Sequence, residues 1–299
     1  MNRRLTPQLK NHLEIKNILK ETILHHTLSD GRSVKTLLVY LPIKSGLSFH
    51  DDFFKVIKDG ILYNYVLSCK EIEKKLARNS DTAIEELFEK SIRKISQHTA
   101  KGELGELILF TLLDVYFEAP KIVSKVSLKT NSRMPVFGAD AVHAQFHDGK
   151  LRLYLGESKL YTKFKSAATE ATKSIKTAKD KYEEEFDLLD SYMDFPDIDD
   201  DIASLLIDLL NPFTNNRHSE SIYSPCFIGF SEEDIISTCV TEQDFIEKYK
   251  LLSCDYINDF FKKVEEQNMS IEETALLMLP FSCVDKLVDD FIAYVGIKK

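Results

Sequence analysis

The stretch His147-Asp148-Gly149-Lys150 places the tightest constraint on how this chain can fold. Asp-Gly between two runs of alternating apolar residues signals a two-residue hairpin. The type I′ turn that suits the strand twist needs positive φ at both central positions, which few residues tolerate. With Asp148-Gly149 as the turn, His147 faces Lys150, and counting outward pair by pair sets Asp140 opposite Glu157. Their Cβ atoms would then lie roughly 5 Å apart on one face of two antiparallel strands. Lys159, two residues beyond Glu157, returns to that face. The same face carries Val142, Ala144 and Phe146 against Leu151, Leu153 and Leu155, so strands of about 138–146 and 151–159 put both carboxylates at the open end of an apolar surface. Gly138, opposite Lys159, leaves room for the lysine or for a substrate backbone. Opposed carboxylates repel, and a divalent cation is the usual remedy.

Upstream, KGELGELILFTLLDVYF spaces Leu104, Leu107, Ile108, Thr111 and Val115 as the buried stripe of a helix. Glu103 and Glu106, three apart, share another edge of that helix, continued by Phe110. Glutamates also favour the positive end of any helix and face water there. The pair by itself therefore assigns no chemistry.

The order is a helix with Glu, a strand, a strand with Asp, a strand with Glu-x-Lys, and a helix. That order resembles the core of the PD-(D/E)xK nuclease superfamily, although Ala139 precedes Asp140 where the superfamily's name has proline. More closely, GELGELILF, FGADAVHA, LYLGESK and LMLPFSCVDKLVDDF resemble the family of Hachiman antiphage-defence nuclease subunits, HamA, over about residues 85 to 298. The resemblance implies an α/β (α+β) fold with a restriction-endonuclease-like core, a mixed sheet flanked by helices. It implies a deoxyribonuclease that uses Mg²⁺, or Mn²⁺ in its place, and serves as effector of an antiphage system under a separate superfamily 2 helicase. On it, Asp140 and Glu157 ligate the metal. Lys159 positions or deprotonates the attacking water, or neutralises the developing charge, and Glu106 or Glu103 completes the outer shell or binds the metal directly. The competing reading is a catalytically silent nuclease-fold module that binds DNA or protein. At Glu157-Ser158-Lys159 a plain surface strand end would look the same.

Charge argues against unaided DNA binding. With 39 Lys and Arg against 48 Asp and Glu the net charge is −9, whereas phosphate contacts need local positive charge. DNA binding must draw on a local patch, a metal or a partner subunit. Lys163, Lys165, Lys173, Lys176 and Lys179 form the densest basic run, on a predicted helix over 166–182 whose packing side is Ala168, Ala171, Thr172 and Ile175. The run reads either as a solvated face or as phosphate contacts. The sign then reverses in an acidic segment over 183–201, which lacks the glycine and closing glutamate of a calcium loop and reads as an exposed loop or a protein contact. No G-x-x-x-x-G-K-[ST] or G-x-G-x-x-G occurs, so the chain is not its own ATP motor. Five scattered cysteines without Cys-x-x-Cys spacing point away from a zinc or disulfide framework and suit a reducing cytoplasm. No apolar stretch is long enough for a membrane helix, and MNRRLTPQLKNHLEIK lacks a signal-peptide core.

Elsewhere the spacing predicts a helix over 5–25, a strand over 34–41 stopped by Pro42, and a helix over 50–69 weakened by Gly60. The adjacent His25 and His26 would point apart on that first helix and make no ligand pair. The charged stretch 71–79 marks a boundary between an N-terminal α+β region, 1–79, suited to partner docking, and a nuclease-like domain, 80–299. Further elements are a helix over 83–97 broken by Gly102, a strand over 122–128 with Lys121, Lys125 and Lys129 spaced along it, and a helix over 202–210. A buried strand over 226–230 bounded by Pro225, a helix over 241–264, a strand over 274–279 and a last helix over 284–294 started by Ser282 complete the chain.

Overall fold

The computed structural model describes residues 4–48, 50–78, 81–123, 126, 139–181, 200–210 and 222–297. In chain order the described helices are α1 (His12–Ile18), α2 (Asp51–Val56), α3 (Leu62–Val66), α4 (Cys69–Leu76), α5 (Ala83–Ile92), α6 (Ala100–Tyr116), α7 (Phe164–Asp180), α8 (Asp200–Leu210), α9 (Glu233–Ser237), α10 (Glu242–Glu266) and α11 (Val284–Val295). The strands are β1 (Lys20–Thr27), β2 (Ser33–Tyr40), β3 (Ile43–Lys44), β4 (Leu47–Ser48), β5 (Lys121–Val123), β6 (Ala141–His147), β7 (Lys150–Tyr161), β8 (Ile222–Ser231) and β9 (Thr274–Phe281). Seven of them make one mixed sheet in the order β1-β2-β9-β8-β7-β6-β5, and β3-β4 is a small separate ribbon. The fold is the expected mixed sheet flanked by helices. Among the described residues no helix is long and apolar enough to cross a membrane.

The hairpin has the turn and register that Asp-Gly dictates. Asp148 and Gly149 take φ of 50° and 75°, and β6 pairs β7 from His147↔Lys150 to Ala141↔Gly156. Beyond the hairpin, β7 runs parallel to β8, β8 to β9 and β9 to β2, which makes β7–β8–β9 the interior of the sheet. Interior strands are apolar on both faces. Phe227, Leu277 and Leu279 belong to a core with α6, the α2–α5 helices and α11, whereas Cys226, Ile228, Leu276 and Met278 belong to one with α7 and α10. A third cluster under the hairpin holds Val142, Ala144, Leu153 and Leu155. Helix α6 is wedged between the sheet and the N-terminal helices, so residues 107–115 are all buried and its predicted stripe is only part of its buried surface.

Several expectations are corrected. Residues 5–25 are not one helix: only α1 is helical, Leu13 of the predicted stripe is 81% exposed, and Lys20 onward is strand β1. Thr22 and Ile23 sit in an alternating half-buried segment, and an unbroken antiparallel ladder to β2, from Lys20↔Tyr40 to Thr27↔Ser33, outweighs local helical spacing. His25 and His26 are therefore neighbours on a strand, and His26 Nε2 lies 3.0 Å from Asn258 Oδ1. The helix over 50–69 stays helical through Gly60 by a π turn at Ile57–Ile61, then ends before Ser68, whose Oγ accepts from Glu71 N at 3.2 Å to start α4. Of the charged stretch 71–79, residues 71–76 lie in α4, which meets α5 through the Lys75–Glu86 and Lys90–Glu71 ion pairs, and β1 and β2 extend the same sheet as the hairpin.

Gly102 lies within α6 and breaks nothing; α5 ends earlier, at Ile92. Pro225 does not bound its strand but sits inside β8, where the β7–β8 pairing is interrupted between Tyr154↔Tyr223 and Glu157↔Cys226, so its missing N–H leaves no ladder bond unmade there. The last helix is capped from another strand: Val284 N donates to Ser231 Oγ at 2.9 Å, in place of the predicted Ser282. Lys125, Lys129, Arg133, Gly138 and most of the acidic segment lie outside the described residues.

Candidate active site

The candidate site forms where β6 leaves β7. Pairing ends at Ala141↔Gly156, so Asp140 stands one residue past the ladder, free of the pleat. Its carboxylate turns to the sheet edge, where Oδ2 accepts from Ser158 N at 2.8 Å and Ser158 Oγ at 2.9 Å. The register sets Asp140 opposite Glu157, close enough for their carboxylates to repel, while Oδ2 also caps the next residue of β7. Glu157 and Lys159 face the α7 side, level with Cys226 and Ile228 on β8. Ser158 and Leu160 face α6, where Gly105 lets the helix approach: a Cβ there would sit 3.4 Å from Ser158 Oγ.

Glu157 is 5% exposed, ion-paired with the Lys159 ammonium and hydrogen-bonded by Ser174 of α7. Burial, and then repulsion from Asp140, push its carboxyl up to about 7; Lys159 and Ser174 pull the other way. Burial would lower the Lys159 ammonium, yet Glu157, with Asp140 behind it, more than reverses this and holds it above the ordinary lysine value. Lys159 is therefore a cation at neutral pH. Beside Glu157 on β8, burial raises Cys226 well above a usual thiol, so it offers no thiolate.

Glu106 joins from α6. Together with Asp140, Lys159, Lys101, Lys163 and Ser166 it lines an open pocket of about 640 Å³ at the sheet edge. Glu157 lies behind that pocket, reached through Lys159. Tyr65 OH donates to Glu106 Oε2 at 2.7 Å. Glu103 is 2% exposed and lines neither this pocket nor the small cavity next to it, which Glu106, Asp140, Tyr65 and His143 share. The structure thus brings Asp140, Lys159 and Glu106 to one opening, keeps Glu157 one contact behind it, and leaves Glu103 in the core. In the basic run, Lys163 lines the pocket and Lys165 is exposed beside it, but Lys173 pairs with Glu170 at 3.1 Å, Lys176 with Asp180, and Lys179 with Glu273 at 2.8 Å.

The donor set suits a hard cation. Asp140 and Glu157 offer carboxylate oxygens that repel each other, and burial followed by that repulsion raises the Glu157 carboxyl. Among the described residues no three His, Cys, Asp or Glu side chains are gathered into a closed cage. Mg²⁺ keeps several waters and takes one or two carboxylates plus substrate phosphate, so an open pair of donors fits it better than a cage would. Ser158, Ser174, Lys101 and Tyr65 were not singled out in the sequence. Ser158 lies inside the Glu-x-Lys motif and could have been read as the partner of Asp140. Tyr65 carries no such signal, being 41 residues from Glu106.

The model of one protein family, HamA, matches residues 16–295 of the chain. No curated protein and no solved structure matches it.

Proposed function

The chain belongs to the HamA family, and from that membership we propose that it is a metal-dependent deoxyribonuclease, the effector of an antiphage-defence system worked together with a helicase subunit. The family points to a defence role in a system with a partner. The observation that carries the nuclease reading is the convergence of Glu106, Asp140 and Lys159 on one pocket, with Glu157 held by Lys159 at its back. This is how a PD-(D/E)xK site would be laid out. The lack of any phosphate-loop motif supports a separate helicase as the source of ATP-driven DNA loading.

Asp140 and Glu157, with Glu106 completing the shell, would hold Mg²⁺, which supplies Lewis-acid polarisation of the phosphate and a more acidic bound water. The rest is done by the chain. Lys159, ion-paired with Glu157 and lining the pocket, would donate to the scissile phosphate and offset the charge that builds there, or position the attacking water. Ser158 holds Asp140 at the sheet edge through two hydrogen bonds. Lys163 in the pocket lining would face a flanking phosphate, with Lys165 two residues on, whereas Lys101, which also lines the pocket, is paired with Asp285 at 2.8 Å. Lys173 and Lys176, already paired with acids, contribute less.

The test is cleavage of linear and plasmid DNA by the purified chain with Mg²⁺, with and without EDTA, for wild type, Asp140→Asn, Glu157→Gln and Lys159→Ala. Each variant should lose at least about 10²-fold in rate while keeping its fold. Wild-type protein that binds DNA under these conditions without cutting it, alone or with its helicase and ATP, would establish the silent binding module instead.

A further inference from the structure

We infer that Tyr65, from the helices before the hairpin, is a positioning residue that fixes the Glu106 carboxylate toward Asp140 and Lys159. The inference rests on the nuclease reading above and adds to it a residue from outside the hairpin and its motif helix. Three observations meet at this tyrosine. Its hydroxyl donates to Glu106 Oε2 at 2.7 Å. Its ring packs on Phe110, one helical turn beyond Glu106, with centroids 6.0 Å apart. Its backbone is gripped from the far side by Lys121 of β5, whose buried ammonium donates to the carbonyls of Asn64, Tyr65 at 3.4 Å and Leu67 at 2.7 Å, and lies 5.6 Å from the Phe110 ring. A cation at the C-terminal end of α3 also suits the helix dipole. Strand β5 is in turn paired to β6, with Lys121 opposite His143.

The consequence is directional. Tyr65 is 6% exposed, and its hydroxyl meets a carboxylate oxygen, which can only accept, so the tyrosine donates. A carboxylate held by a fixed donor loses rotamer freedom, and groups of this kind set the orientation of metal- and substrate-facing carboxylates. The same contact separates the two glutamates that the sequence leaves equivalent. Glu106 has a dedicated donor and lines the pocket, whereas Glu103 lines neither cavity. It also ties residues 51–66 to the site, so the segment before the motif helix contributes to the chemistry as well as to packing.

Tyr65→Phe removes one oxygen and keeps the ring on Phe110. The probe is Mn²⁺ binding to the full chain, followed by electron paramagnetic resonance and by calorimetry, beside Mg²⁺ titration of DNA cleavage and melting in EDTA. Tyr65→Phe should weaken Mn²⁺ binding and raise the half-activating Mg²⁺ concentration by about 10-fold, the low end of what losing such a partner costs. In a Glu106→Gln background the same change should add less than about 2-fold, because the tyrosine acts through that carboxylate. Unaltered Mn²⁺ affinity in Tyr65→Phe, or an equal loss in both backgrounds, would overturn the inference. Asp140→Asn is the control that separates the two readings. If it too leaves Mn²⁺ binding and cleavage untouched, the nuclease site itself is misplaced; if it abolishes both while Tyr65→Phe does nothing, only the role of Tyr65 fails. Should Tyr65→Phe fail to fold, Glu106→Gln and Glu103→Gln decide instead: loss at Glu106 with little change at Glu103 supports the assignment, and the reverse overturns it.

Discussion

Replacing Asp140 with asparagine should stabilise the metal-free protein at pH 8 and give no gain at pH 5. Asparagine keeps an oxygen that can accept from Ser158 N and Oγ, so the geometry at 2.8 and 2.9 Å is retained while the charge is removed. The quantity at stake is the Glu157 carboxyl, raised from 4.5 to about 7 by burial first and by Asp140 second. At about 1.4 kcal/mol for each pH unit, the whole rise corresponds to about 3 kcal/mol, and because burial is its larger cause Asp140 accounts for less than half of it, on the order of 1 kcal/mol. The sign follows from linkage. A carboxyl whose folded pKa is raised holds its proton longer in the folded state, so stability falls as pH climbs from 4.5 to 7 and stays low above. Removing Asp140 lowers that folded value and returns stability above pH 7, with no gain where Glu157 is protonated. The loss of attraction between Asp140 and Lys159 opposes the gain, but it is weaker than the Lys159–Glu157 attraction, which is itself weaker than the Asp140–Glu157 repulsion. For a chain of 299 residues, 1 kcal/mol moves the melting temperature by about 2 °C. Thermal unfolding followed by circular dichroism in EDTA at both pH values is the assay. A lower melting temperature at pH 8, or an equal rise at both, would refute the reasoning.

Two further outcomes follow from side chains around the site. Lys121→Met should cost about 3 kcal/mol in urea denaturation, because it strips the donor from buried carbonyls of residues 64, 65 and 67; a midpoint unchanged from wild type would remove the clamp from the account. Lys163→Glu with Lys165→Glu should weaken DNA binding and flatten its salt dependence, by about one unit of slope for each lysine, whereas Lys173→Glu with Lys176→Glu should have a smaller effect because those lysines are already paired. Equal effects from the two pairs, read by fluorescence anisotropy over a salt series, would mean the whole helix face meets DNA.

Much of the site was legible in the chain because its information is local. Asp148-Gly149 demands one turn type, the turn demands one register, and the register carries Asp140, Glu157 and Lys159 to the same end of the sheet. Helix α7 was legible for the same reason: its small residues recur at helical spacing, and Ala168, Ala171, Thr172 and Ile175 are all buried. Where the reading failed, the deciding interaction was distant in sequence. Lys20–Thr27 has enough helical spacing to mislead, and only a partner strand ending at Tyr40 makes it β1. Pro225 looks like a strand end until the gap in the β7 ladder that accommodates it is known. Ser282 looks like a cap, but the hydroxyl that serves is Ser231, from a strand 53 residues earlier.

The same division runs through the site. Spacing placed two glutamates on α6 without preference, since three residues apart on a helix they differ by less than a turn. Packing separated them: the sheet and the N-terminal helices close over Glu103, while Glu106 opens onto the pocket and meets Tyr65. Nor could spacing foresee which donors would hold Asp140. A pleat holds a side chain to its face only while the ladder continues, and where β6 parts from β7 the nearest unpaired donors, Ser158 N and Oγ, decide where a carboxylate points.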